Sequence, residues 1–255
     1  MSLQDKIVCV TGASSGIGAA CVEVFAAAGA RLLVCARRSD RLHELVAGLT
    51  GKGVEAHAFQ LDVRDRDAVS EAFESLPKEW SEIDLLLNNA GLSRGLEPLQ
   101  DGLIDDWDEM LQTNVQGLLY VSRAVLPGMV ARGRGHAINI GSIAGREVYP
   151  KGAVYCASKH AVGAITAGMR LDLNGTGVKV STVDPGLVNT EFSRVRFHGD
   201  QDRADQTYQG MTPLSGADVA ASVLWVAQQP EHVNVAEVLL FPADQAAATV
   251  VHRRS

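Results

Sequence analysis

The chain has 255 residues, of which 46% are hydrophobic and 21% charged. That is enough for one large domain or two small ones with a sizeable core. A formal net charge of -7 argues against nucleic acid as a bulk partner, because a phosphate-binding face is ordinarily basic, though it leaves room for a local basic pocket.

The first apolar run, KIVCVTG at 6–12, has strand length, and Ile17, Cys21, Val24 and Ala28 follow it at helical spacing. RLLVCA at 31–36 reads as a second strand, leading into a polar amphipathic helix at 38–49. VEAHAFQ at 54–60 is a third, before a helix carrying Val69, Ala72, Phe73 and Leu76, and IDLLLN at 83–88 is a fourth. One long helix is then expected, with Trp107, Leu111, Val115, Leu118, Ser122, Leu126 and Met129 on a single stripe. HAINIGS at 136–142, a helix at 153–173 and VKVSTVD at 178–184 continue the alternation. A helix at 216–228, with Ser215 and Asp218 as a capping box, precedes EVLLF at 237–241.

Such alternation predicts an α/β fold: one Rossmann-type, doubly wound domain over 1–255, with a seven-stranded parallel sheet and helices on both faces. Only 186–214 breaks the pattern, being long, polar and weakly periodic. It follows the carboxyl end of a strand, where open α/β sheets bind ligands, so it is expected to be a substrate lid.

Cys9, Cys21, Cys35 and Cys156 form no CxxC pair and read as reduced, buried thiols of a cytoplasmic protein, with no metal site. No apolar run reaches the ~18 residues of a membrane span, and the N-terminal MSLQDK lacks the apolar region of a secretory signal. Neither a membrane nor a nucleic acid is expected as partner.

TGASSGIG at 11–18 joins the first strand to the first helix. Gly12, Gly16 and Gly18 permit a tight turn and close backbone approach, and the unpaired N–H groups of the helix start suit a pyrophosphate. The spacing is GxxxGxG rather than GxGxxG. Further on, Tyr155 and Lys159 lie four residues apart, on one face of a helix. An ammonium near a phenol favours the phenolate, which lets the tyrosine exchange a proton near neutral pH. Ser142, at the end of the fifth strand, is placed to hold a substrate oxygen.

The ordered motifs TGxxxGxG at 11–18, NNAG at 88–91, Asn114 in TNVQG, Ser142, YxxxK at 155–159 and PG at 185–186 resemble the short-chain dehydrogenase/reductase family along nearly the whole chain. The resemblance implies a catalytic tetrad of Asn114, Ser142, Tyr155 and Lys159. The tyrosine would be the acid/base, and the serine would orient the reacting oxygen. The lysine would lower the tyrosine pKa and bind the nicotinamide ribose, and the asparagine would anchor a relay water. It also implies that Gly12, Ser14, Ser15, Gly16, Ile17 and Gly18 cradle a dinucleotide. Asn89, Ala90 and Gly91 would lie along it, Asp62 and Val63 would flank the adenine, and Pro185, Gly186, Val188 and Thr190 would hold its carboxamide end.

SLPKEWSEIDLLLNNAGLSRGLEP, RAVLPGMV, NIGSIAGR, PGLVNTEFSRVRF and FPADQ are similar to the NADP-dependent 3-hydroxy acid dehydrogenases within that family. This implies a small hydroxy acid, 3-oxo acid or semialdehyde as substrate, and a homotetramer. A small hydroxy acid carries a carboxylate that suits an arginine, for which Arg146, Arg194 and Arg196 are the candidates. A broad carbonyl or ketosteroid reductase of the same fold, and a non-catalytic NADP-binding sensor, are the competing readings.

VCARRSD at 34–40 places Ala36 where a cofactor with a free ribose 2′-hydroxyl calls for a carboxylate, and follows it with Arg37 and Arg38. Cations oppose the positive end of the next helix, a misfit that a 2′-phosphate repairs. NADP(H) rather than NAD(H) is therefore the expected cofactor.

Overall fold

The computed structural model describes residues 2–254. In chain order the elements are β1 Ile7–Thr11, α1 Gly16–Ala27, β2 Arg31–Ala36, α2 Ser39–Gly51, β3 Ala56–Gln60, α3 Arg66–Glu74 and β4 Leu85–Asn88. Next come α4 Ile104–Leu111, α5 Leu118–Arg132, β5 Gly135–Ile140, α6 Ala153–Asp172 and β6 Val178–Pro185. The last are β7 Val188–Asn189, α7 Glu191–Arg196, α8 Gln201–Gln206, β8 Leu214–Ser215, α9 Gly216–Ala227 and β9 Glu237–Leu240.

Seven strands form one parallel sheet in the order β3-β2-β1-β4-β5-β6-β9. The apolar runs become buried strands because both faces of the sheet are covered. Alternate residues go to opposite faces: Val8, Val10, Leu32, Val34, Leu85 and Leu87 pack with Val22 and Phe25 of α1 and Val219 and Val223 of α9. Ile7, Cys9, Leu33, Cys35 and Leu86 pack with Val69 of α3 and Val121, Val125 and Met129 of α5. Fully burying one such side chain contributes ~1.5–3 kcal/mol, more than the ~1 kcal/mol of an exposed ion pair, so these two faces decide the fold. All four cysteines are buried, and burial pushes the thiols of Cys21 and Cys35 up to about 12, which keeps them inert.

From β1 the chain winds outward through β2 to β3, then returns to lay β4 on the other side of β1. The carboxyl ends of β1 and β4 thus diverge at a switch point, the place where a crevice opens. Both the glycine loop and the NNAG segment leave the sheet there.

One expectation is corrected. The expected single helix is interrupted by a wide π turn at Gln112–Gly117 between α4 and α5. The extra residue rotates the helix and breaks the stripe: Leu111 is exposed, while Met110, Thr113 and Asn114 turn inward. The segment 186–214, weakly periodic in the sequence, contains short regular elements. It holds β7, α7 and α8, each too short to show a period, with Thr190 capping α7 through Phe192 N–H and Asp200 capping α8 through Arg203 N–H.

Candidate active site

At the switch point the side chain of Asn89 donates to the carbonyls of Thr11 (2.9 Å) and Gly12 (3.2 Å), tying the NNAG segment to the glycine loop. Gly12 (φ 65°) and Gly16 (φ 55°) adopt left-handed backbone, and a Cβ on Gly18 would strike the Gly12 carbonyl. Ser15 begins α1 without a side-chain cap, and no acidic residue lies in the first turn. The first N–H groups of α1 therefore stay open toward the crevice.

A cavity of about 690 Å³ runs from this loop to 186–214. Gly12, Ser14, Ser15, Gly16 and Ile17 line one end, with Arg37, Arg38, Asp62 and Val63 beside them. Asn89, Ala90 and Gly91 form its floor, and Pro185, Gly186, Val188 and Thr190 its opposite wall. Ser142, Tyr155, Lys159 and Arg196 line the far end. Gly18 supports the loop from behind. Asn114 also lies behind the cavity lining, within the π turn, where its amide donates to Leu92 O (2.8 Å) and Ser158 Oγ (3.0 Å) and accepts from Leu92 N–H (2.8 Å).

Ser142 caps a short 3-10 turn, accepting from Ala144 N–H at 3.1 Å, and its hydroxyl donates to Pro185 O at 3.5 Å. Tyr155 lies in the first turn of α6, its ring edge-on to Phe192 of α7 at 5.6 Å. Lys159 follows one turn later, and its ammonium donates to Ile140 O at 2.9 Å. Burial pushes the Tyr155 phenol well above its ordinary range and Tyr149 adds to this, while the Arg196 guanidinium and the nearby Ser142 hydroxyl pull it back down in part. Burial lowers Lys159 to about 8, against the opposing pull of Asp184.

The three candidate arginines separate. Arg146 is not a free cation: it donates to Asp184 Oδ2 from Nε (3.1 Å) and a terminal nitrogen (2.8 Å) and also pairs with Glu237 (2.5 Å), outside the cavity. Arg194 is exposed on the outer side of α7 and does not line the cavity. Only Arg196 faces inward. It donates to Ser93 Oγ (2.9 Å) and Tyr149 OH (2.5 Å), and its guanidinium lies 5.2 Å from the Tyr155 ring centroid and 5.6 Å from that of Phe192.

At the other end Arg38 donates to Ser14 Oγ (3.2 Å), Ser15 Oγ (2.8 Å) and Glu191 (3.1 Å), which holds its guanidinium against the glycine loop. Arg37 pairs with Glu109 at 3.3 Å. Burial opposes the charge on Glu109, but Arg94 and Arg37 more than offset it and hold the carboxyl below its usual range. Thr113 was missing from the sequence-based set. Its buried hydroxyl has no hydrogen-bond partner among the described residues, and the residue itself lines the cavity. Its motif, TNVQG, is visible in the sequence, but which way the hydroxyl turns depends on the π turn.

The glycine cradle and the arginine pair, at one end of the same cavity, together fit a phosphorylated dinucleotide. The short chain dehydrogenase family model matches residues 6–201. The chain belongs to that family. It is 47% identical over 250 residues to the NADP-dependent 3-hydroxy acid dehydrogenase YdfG of Escherichia coli O6:H1, covering 97% of this chain and 100% of that one. It is 42% identical over 254 residues to the NADP-dependent 3-hydroxy acid dehydrogenase of Schizosaccharomyces pombe, covering 99% and 98%. Among solved structures, the closed form of a serine dehydrogenase complexed with NADP+ superposes with a TM-score of 0.92 at 45% identity, covering 98% and 100%. Serine dehydrogenase from Escherichia coli gives 0.83 at 41% identity, covering 94% and 99%.

Proposed function

We propose that the chain is an NADP(H)-dependent oxidoreductase that transfers a hydride between its cofactor and a short 3-hydroxy acid, or reduces the matching 3-oxo acid or semialdehyde. The observation that carries the substrate class is Arg196. It is a cation on the cavity wall, held by two hydroxyls and three aromatic rings, and no carboxylate among the described residues pairs with it. A substrate carboxylate is the partner such a group lacks. The relatives named above support the same reading.

In this reading Arg196 binds the carboxylate, and that contact brings the 3-hydroxyl to Ser142 and Tyr155. Ser142 orients the hydroxyl oxygen, and Tyr155 takes its proton during oxidation or returns it during reduction. Lys159 keeps positive charge beside this exchange, and Asn114 ties the π turn to the Leu92 backbone and to Ser158 of α6 behind it. The glycine loop, Asn89 to Gly91, Asp62, Val63 and Thr113 hold the dinucleotide, with Arg37, Arg38, Ser14 and Ser15 at the 2′-phosphate. The bound nicotinamide supplies the hydride acceptor or donor. Residues 186–214 act as the lid, since α7 carries Arg196 and Phe192 into the cavity. One domain, a homotetramer and a cytoplasmic location complete the proposal; sedimentation would test the tetramer.

Arg196→Leu tests the assignment. The KM for a 3-hydroxy acid is expected to rise roughly 10- to 100-fold, the cost of one charged hydrogen-bonded contact. The KM for a neutral alcohol should stay near its wild-type value. Equal effects on both substrates would refute the assignment.

A further inference from the structure

Arg38 is held from two sides. One terminal nitrogen donates to Ser14 Oγ (3.2 Å) and Ser15 Oγ (2.8 Å) of the glycine loop. The other donates to Glu191 at 3.1 Å, and Glu191 is the first residue of α7, on the opposite wall. The two walls meet here: a Cβ on Gly16 would lie 3.3 Å from Thr190 Cβ. Arg38, Ser14, Ser15 and Glu191 all line this end of the cavity. Glu191 has a second partner. Arg41, one turn into α2, donates to both of its oxygens at 2.8 and 3.0 Å. The Arg41 hydrogen bond holds the Glu191 carboxyl below its usual range against a smaller effect of burial, and Arg38 adds to the lowering. Arg37 is held differently. Its partner Glu109 is 18% exposed and is shared with Arg94 (2.6 Å) and Arg64 (3.5 Å).

We infer that Glu191 is a specificity-determining residue at the cofactor end: it competes with the 2′-phosphate for Arg38 and so limits the preference for the phosphorylated cofactor. The inference rests on the reading, given above, that the arginine pair receives that phosphate. Without a ligand, Glu191 neutralises part of the charge on Arg38. An arriving phosphate takes the nitrogen that Glu191 holds, and two anions then flank one guanidinium, a like-charge contact that weakens binding. The carboxylate can release Arg38 because Arg41 retains both of its oxygens, which also keeps α7 anchored. Glu191 is not needed to aim Arg38, since the two serine hydroxyls do so from the other nitrogen. The Arg38 and Glu191 side chains are 40% and 39% exposed, so the pair is weak and exchangeable. A cofactor with a free 2′-hydroxyl leaves the pair intact. One carboxylate on the lid therefore sets how strongly the far end of the cavity holds a phosphate.

Calorimetric titration of the full-length protein tests this. The probe is adenosine 2′,5′-bisphosphate, and adenosine 5′-monophosphate is the same ligand without the 2′-phosphate. Glu191→Gln keeps the size of the side chain and removes its charge. It is expected to bind the bisphosphate roughly 3- to 10-fold more tightly than the wild type does. The monophosphate should bind both proteins alike, and the gap for the bisphosphate should narrow with added salt. Glu191→Asp keeps the charge and should stay within about two-fold of the wild type. A side chain that only supported the fold would weaken both probes when replaced. Bisphosphate binding that is unchanged or weaker in Glu191→Gln overturns the inference, and so does equal tightening of both probes. Arg38→Leu tests the cofactor reading separately, since it should erase most of the preference for the bisphosphate over the monophosphate. If that preference survives in Arg38→Leu, the phosphate does not sit at Arg38, and the cofactor reading fails whatever Glu191→Gln does.

Discussion

Asp184 is 6% exposed, and its carboxylate is held by Thr182 Oγ1 at 2.6 Å and by two nitrogens of Arg146. Loss of the arginine would leave a buried charge half-satisfied beside Lys159. Arg146→Leu is therefore expected to cost about 1–3 kcal/mol of stability and to leave the KM for hydroxy acids near wild type. Denaturant unfolding and steady-state kinetics on the same protein check this. It is the inverse of what Arg196→Leu should do. The two arginines look alike in the sequence, since each follows a strand end and neither has a motif of its own. What separates them is the carboxylate of Asp184, which comes from another strand. The Tyr155–Lys159 pair and the glycine loop stood out in the sequence because their spacing is local, four residues of helix and one turn, whereas Asn114 entered only through the ordered motifs of the family and Ser142 through those motifs and its place at a strand end. Thr113 and the inward turn of Arg196 depend on tertiary geometry, which no local spacing records.

The strands were readable to within one or two residues because β1, β2 and β4 are buried on both faces and are almost continuously apolar. The helix after β4 was readable only in part. Its apolar residues keep helical spacing on both sides of Gln112–Gly117, but the π turn changes their phase. That turn presses Gly117 onto β3's outgoing segment, where a Cβ would lie 2.6 Å from Val63 Cγ2 and 3.2 Å from Val63 O. Gly117→Ala must push Val63 toward the cavity it lines. Affinity for NADP+ is expected to fall roughly 10-fold while the hydroxy acid KM at saturating cofactor changes little, at an overpacking cost of about 1–3 kcal/mol in stability. Fluorescence titration with NADPH measures the first effect. In 186–214 the helices α7 and α8 have six residues each, less than two turns, so their caps at Thr190 and Asp200 were the only sequence signals they had.

For the whole molecule, His136 sets a dependence on acid. It lies on β5, 5% exposed, with Nε2 2.8 Å from Ser181 Oγ and Nδ1 without a partner. Burial, aided by Lys179, lowers its pKa from 6.5 to about 3. The folded protein thus keeps the imidazole neutral down to about pH 3, while the unfolded chain binds a proton from 6.5 downward. The unfolded state holds more protons throughout that window, so stability is full above it and falls as pH drops. Between pH 7 and pH 5 this one group should remove on the order of 2 kcal/mol. Unfolding in urea at the two pH values measures the loss, and a neutral replacement such as His136→Gln should flatten it.

The central claim joins the two ends of the cavity: a 2′-phosphorylated cofactor at Arg37 and Arg38, and a carboxylate-bearing alcohol at Arg196. The most direct measurement is kcat/KM for a four-way panel. It pairs NADP+ and NAD+ with serine or 3-hydroxypropionate and with a neutral secondary alcohol, followed by nicotinamide absorbance. The expected result is preference for NADP+ with either substrate, weakened by added salt, and preference for the hydroxy acid with either cofactor. Equal use of the two cofactors, or a neutral alcohol turned over as well as the acids, would contradict the account.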